Sequence, residues 1–194
     1  MGLKLETIDS SIVDKAITFA VNAHQNVVRK GTNLPYIVHP IEAVAIAATI
    51  TDDQELLAAA ALHDVIEDTT YTAEDIEKEF NKRIAELVVD ESDKVFEGVS
   101  RAESWRLRKA LSIERLKNAS KEAKIVAMGD KLSNMRAIYR DHEALGDKFW
   151  ERFNVQDPKM QEWYYRGLLD SLSDLKDTAA FKEFSKLIEL VFNK

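Results

Sequence analysis

Ala60-Ala61-Leu62-His63-Asp64-Val65-Ile66-Glu67-Asp68-Thr69 puts four ionisable side chains into a stretch whose Ala- and Leu-rich approach reads as a buried helix. Charge taken out of water is costly unless it is paired or coordinates a metal. His63 and Glu67 are four residues apart, as are Asp64 and Asp68, so on a helix each pair shares one patch of surface. That pattern is expected where a metal sits beside acid/base groups. The segment therefore reads as a catalytic site carried on a buried helix.

Upstream, Thr51-x-x-Gln54 is a capping-box signature that opens this helix. Before it, Pro40 suits a first helical turn and biases His39 toward an extended backbone just outside a helix running to about Ile50. A polar loop from Arg29 to Leu34 separates that helix from an earlier one, from about Ser11 to Val27. Downstream, Thr72 caps a short helix through Phe80, and another runs from Lys82 to about Asp93. A basic helix spans about Glu103 to Lys117. Ser120 caps a long helix to about Leu145 that carries Asp130, and Asp157-Pro158 starts one to about Leu175. A last helix covers about Ala179 to Phe192, with Phe181, Phe184, Leu187 and Leu190 facing the core. The reading is a single all-α helical bundle over residues 1–194, with its core over about 11–175.

Composition agrees. A chain of 194 residues supports one substantial core. With 45% apolar and 31% charged residues, six Gly and three Pro, it resembles an ordinary globular helical protein. The absence of Cys excludes disulfides and thiolate metal ligands. The first thirty residues lack a signal peptide's apolar core, and no run approaches a membrane span, so a cytoplasmic location without membrane contact is expected. The net charge of −7 argues against a nucleic-acid partner.

Asp130 is a lone acid within Ile125-Val126-Ala127-Met128-Gly129-Asp130-Lys131-Leu132-Ser133-Asn134, with Asn134 one turn further on the same face. Two imidazoles and two carboxylates (His39, His63, Asp64 and Asp130) make a mixed nitrogen and oxygen set suited to Mn, Fe or Zn. Arg29 offers a planar fork for phosphate and Lys30 a point charge. His24 reads as a packed structural residue and His142 as a surface one. Most of the run Arg101, Arg106, Arg108, Lys109, Arg115 and Lys117 reads as a solvated face.

The order His39, His63-Asp64, Asp130 resembles the HD superfamily of metal-dependent phosphohydrolases. RKGTNLPYIVHP, AALHDVIEDT and GDKLSNMR, in that order, resemble the hydrolase domain of the RelA/SpoT homologues, and above all its stand-alone form, the small alarmone hydrolases. The resemblance implies hydrolysis of the 3′-pyrophosphate of guanosine tetra- and pentaphosphate with one Mn²⁺ ion. It implies His39, His63, Asp64 and Asp130 as metal ligands, and Glu67 and Asp68 as the pair that positions and deprotonates water. Arg29, Lys30 and Asn134 become substrate contacts, with Arg106 and Lys109 reaching outer phosphates and Tyr164 closing the nucleotide pocket. Two-metal relatives use more histidines, which favours one ion here. No synthetase segment follows, so degradation alone is expected. Gly129 departs from the Ala usual in relatives, which points to close packing or local flexibility. The rivals are an HD phosphohydrolase of another nucleotide, such as a 5′-nucleotidase or an adenosine alarmone hydrolase, and a catalytically silent nucleotide sensor. Oligomeric state is left open.

Overall fold

The structure, a computed structural model, describes residues 10–92, 98–100 and 102–193. Arg101 and the expected helix end near Asp93 lie outside them. The described chain is helical throughout: α1 (Ser11–Ala23), α2 (Val38–Ala47), α3 (Gln54–Leu62), α4 (Val65–Asp68), α5 (Ala73–Glu79), α6 (Lys82–Glu91), α7 (Trp105–Asn118), α8 (Lys121–Leu145), α9 (Pro158–Ser171) and α10 (Ala179–Phe192). Among the described residues the sole β feature is an antiparallel bridge between Val28 and Pro35.

Local capping chemistry sets most boundaries. Thr72 and Asp75 form a reciprocal capping box at α5, Asn81 caps α6, Ser120 caps α8, Asp157 precedes Pro158 in α9, and Thr178 caps α10. Three helices end earlier than the sequence reading has them: α1 at Ala23 rather than about Val27, α2 at Ala47 rather than about Ile50, and α9 at Ser171 rather than about Leu175. Three further features depart from it. Asp53, not Thr51, caps α3, accepting from the N–H groups of Glu55 at 2.9 Å and Leu56 at 3.4 Å. The Thr51 hydroxyl instead accepts from the Asp53 N–H at 3.1 Å and so orients the cap. His39 lies inside the first turn of α2 rather than outside it, its N–H bonded to the Tyr36 carbonyl at 3.0 Å. Pro40 is tolerated there because first-turn N–H groups need no intrahelical partner. Finally, the helix expected to run through His63 breaks: α3 stops at Leu62, and His63-Asp64 form a turn before α4.

α3 is the axis of the bundle. Leu56 to Leu62 are all buried, as for a helix covered on every side, and α1, α2, α6 and α8 pack around it. α2 and α8 approach closely at Gly129, where a Cβ would lie 2.6 Å from the Ala43 carbonyl oxygen. Close packing is thus the reason for this glycine. Gly129→Ala gains about 1 kcal/mol in helix propensity, but overpacking against rigid backbone costs roughly 1–3 kcal/mol. A Tm lowered by about 2–4 °C is expected for each net kcal/mol lost. Calorimetry showing an unchanged or higher Tm would mean that the two helices part without cost.

Three further expectations are corrected by burial. Arg108, expected on the solvated basic face of α7, is buried. His142 is not a surface residue, because its ring sits 5.5 Å from Trp150 and 6.1 Å from Phe149, both supplied by the 3₁₀ turn Gly146–Arg152. On α10, Phe184 and Leu187 are buried but Leu190 is exposed. No helix among the described residues is long and apolar enough to cross a membrane.

Candidate metal and catalytic site

Three elements converge on one point: the first turn of α2, the α3–α4 turn and the middle of α8. The Nε2 atoms of His39 and His63 lie 3.1 Å apart. Asp64 Oδ2 is 3.4 Å from His39 Nε2 and 3.0 Å from His63 Nε2, and Asp130 Oδ1 is 3.2 and 3.7 Å from the same atoms. Both histidines and Asp130 are buried. His63 Nδ1 faces the Ala60 carbonyl at 2.8 Å, an acceptor only, so Nδ1 donates and a neutral ring keeps its lone pair on Nε2.

The electrostatics of this cluster call for a cation. Burial pushes the carboxyl of Asp130 up, but Lys131, His39 and His63 hold it far below the usual range. Burial also opposes ionisation of Asp64, yet the neighbouring His63 and His39 keep it well below that range. Burial pushes His63 down, while Asp64 and Asp130 outweigh it and hold the imidazole up at about 10. Two anions around facing imidazoles thus draw in positive charge. His39, His63 and Asp130 each bring a ligand atom within 4.8 Å of the others, while Asp64 stands beside both imidazoles but outside that group. Nitrogen and oxygen donors without sulfur fit a divalent transition metal.

Glu67 and Asp68 follow one turn later on α4, Glu67 half-buried and Asp68 exposed. The Tyr36 hydroxyl donates to Asp64, and the charge of Asp68 also acts on it. Arg29 and Lys30 stand on a small hairpin closed by Arg29 N–H to the Leu34 carbonyl and Tyr36 N–H to the Val27 carbonyl, each 2.9 Å. Gly31 turns it with φ +76°. Arg29 donates to Asn134 Oδ1 at 2.9 Å, and Asn134 donates to Asp130. Exposed Lys30 reaches Asn154 at 3.4 Å.

A cleft of about 260 Å³ opens beside His39. Arg29, Lys30, Arg140 and Arg152 line it with Glu42 and Asp141, which pairs with Arg140 at 3.0 Å and Arg152 at 2.8 Å, while Tyr36, Phe149, Phe153 and Tyr165 give it aromatic walls. An acid cluster flanked by cations suits a polyanion delivered to a metal. Arg106, Lys109 and Tyr164 are not among the lining residues. Arg106 is exposed on α7, Lys109 lies 4.9 Å over the ring of Tyr164, and Tyr164 is buried against Trp105. Tyr165, its neighbour, is the aromatic that reaches the cleft.

A family model for the HD domain matches residues 16–152, which contain all four convergent side chains. The chain belongs to the HD-domain family. It is 35% identical over 136 residues to the guanosine-3′,5′-bis(diphosphate) 3′-pyrophosphohydrolase of Xenopus tropicalis, covering 68% of this chain and 72% of that protein. It is 33% identical over 127 residues to the Haemophilus influenzae protein of the same enzymatic name, covering 61% of this chain, and 31% identical over 139 residues to a GTP pyrophosphokinase of Brucella melitensis, covering 68% of it. It spans only 17% of the length of each of those two. Among solved structures, a metazoan ortholog of SpoT that hydrolyses ppGpp superposes with a TM-score of 0.75 at 24% identity, covering 95% of this chain and 97% of that one. This likeness is one of fold. A Listeria monocytogenes protein superposes at 0.70 with 27% identity, covering 84% and 99%.

Several residues around this HD-domain site escaped the sequence reading. Tyr36 is one, and burial together with Asp64 and Asp68 pushes its hydroxyl far above the ordinary range, so it stays a donor. Lys131 is another: its ammonium contacts Asp130 and lies 3.2 Å from Glu91, whose carboxyl burial pushes up. Both Tyr36 and Lys131 stand inside the motifs quoted above, which was the available signal. His24 is buried as expected, 4.7 Å from the Tyr36 ring, with neither ring nitrogen hydrogen-bonded among the described residues.

Proposed function

We propose that this chain hydrolyses the 3′-pyrophosphate of guanosine tetra- or pentaphosphate, yielding GDP or GTP and pyrophosphate, with one Mn²⁺ held by His39, His63, Asp64 and Asp130. One observation carries the reading: two buried imidazole nitrogens 3.1 Å apart, flanked by two low-pKa carboxylates, beside a cleft lined by Arg29 and Lys30. The enzymatic names of the Xenopus and Haemophilus relatives supply the substrate class. The activity is assigned to a cytoplasmic protein acting on a small nucleotide.

A divalent ion held by this cluster would offset phosphate charge and lower the pKa of water toward neutrality. The chain's own residues do the rest. Glu67 accepts the proton of the attacking water, and Asp68, its neighbour on α4, orients it. The water oxygen bonds to the phosphorus carried by the ribose 3′ oxygen. The P–O3′ bond then breaks, and the 3′ oxygen takes up a proton as pyrophosphate leaves. Arg29 holds the polyphosphate by its fork and Lys30 by its charge. Asn134, already bonded to Arg29, contacts the nucleoside.

The test is a product assay with guanosine and adenosine 3′-pyrophosphates. Pyrophosphate and a guanosine 5′-nucleotide should form with Mn²⁺ and stop with a chelator. Release of inorganic phosphate would make it a different phosphohydrolase, and binding without turnover would make it a sensor.

A further inference from the structure

We infer that Ser133 and Glu42 are positioning residues that fix which nitrogen of His39 carries its proton, and thereby keep Nε2 bare for the metal. The inference rests on the proposed ligand role of His39.

His39 Nδ1 lies 2.8 Å from Ser133 Oγ, and Ser133 Oγ lies 2.7 Å from Glu42 Oε2. A carboxylate only accepts, so the hydroxyl proton points to Glu42. The oxygen then offers a lone pair to His39, and Nδ1–H must be the donor. The ring proton is thus parked away from Nε2, which faces His63 and Asp130. Glu42 does not wander. Its Oε1 accepts from Arg136 Nη1 at 3.1 Å, and Arg136 is clamped by two 2.7 Å bonds to Glu183 of α10.

The direction of one hydroxyl is therefore set by charge two links away. In Glu42→Gln, Arg136 claims the amide oxygen and turns the NH₂ group toward Ser133. The hydroxyl must then accept from that amide and donate to His39 Nδ1, which drives the ring proton onto Nε2. A ligand nitrogen bearing a proton has no lone pair for a cation.

Isothermal titration of the metal-free full chain with Mn²⁺ tests this without reference to activity. Ser133→Ala and Glu42→Gln should each weaken binding about 10- to 100-fold, the range for losing an outer partner of a ligating histidine. Ser133→Thr keeps the hydroxyl and should stay within about threefold of the parent, well short of that loss. The double variant Ser133→Ala/Glu42→Gln should be no weaker than the worse single one, because Glu42 acts only through Ser133. Parent-like affinity in both single variants, or losses that multiply in the double one, would overturn the inference. A parent protein that takes up no Mn²⁺ would instead overturn the metal reading beneath it.

Discussion

His63→Ala should abolish retention of the metal while leaving the helical content of the chain intact. Its imidazole is buried, its Nδ1 is committed to the Ala60 carbonyl, and its Nε2 lies at the centre of the cluster. Deleting an outer hydrogen-bond partner of a metal ligand costs about 10- to 100-fold in affinity, so loss of the ligand itself should exceed about 100-fold. Removing the ring also deprives Asp64 and Asp130 of a group that offsets their charge, so circular dichroism should accompany the measurement to show that the helices persist. Equilibrium dialysis followed by metal analysis gives the answer. Unchanged stoichiometry would remove His63 from the ligand set and with it the hydrolytic reading.

The helices were largely legible because their start signals are local. Thr72 with Asp75, Ser120, and Asp157 with Pro158 act within one turn, so a short stretch of sequence contains the whole cause. The misread boundaries need information from further away. The break at His63-Asp64 follows no breaker residue; it brings Asp64 Oδ2 to His39, which lies on another helix. His142 is buried because a 3₁₀ turn several residues later folds Phe149 and Trp150 onto it.

The same division applies to the site. Motif resemblance nominated His39, His63, Asp64 and Asp130, but their spacing alone could not say that α2, the α3–α4 turn and α8 meet. Ser133 stands inside the quoted GDKLSNMR motif, but its role and that of Glu42 were not legible, because a Ser on an apolar helix face gains meaning only from partners 91 and 94 residues away. Arg140 and Arg152 likewise look like ordinary surface charges until the cleft between them is known. Residue type gave the chemistry of the cluster, and tertiary contact gave the direction in which it acts.

Separating metal binding from proton transfer requires a variant that changes one alone. Glu67→Gln is that variant, because it keeps the volume and polarity of a half-buried side chain on α4 while removing its ability to accept a proton. A positioned general base typically contributes about 10²- to 10⁴-fold, so kcat for the guanosine 3′-pyrophosphate should fall by that factor. Glu67 is not among the four convergent donors, so Mn²⁺ affinity should stay within about twofold, far from the loss expected of a ligand's partner. KM should also hold, since the proton moves only during the chemical step. Steady-state kinetics beside a metal titration would show this split. A parent-like kcat would free Glu67 from the proposed role, and a collapse of metal affinity would make it a ligand instead.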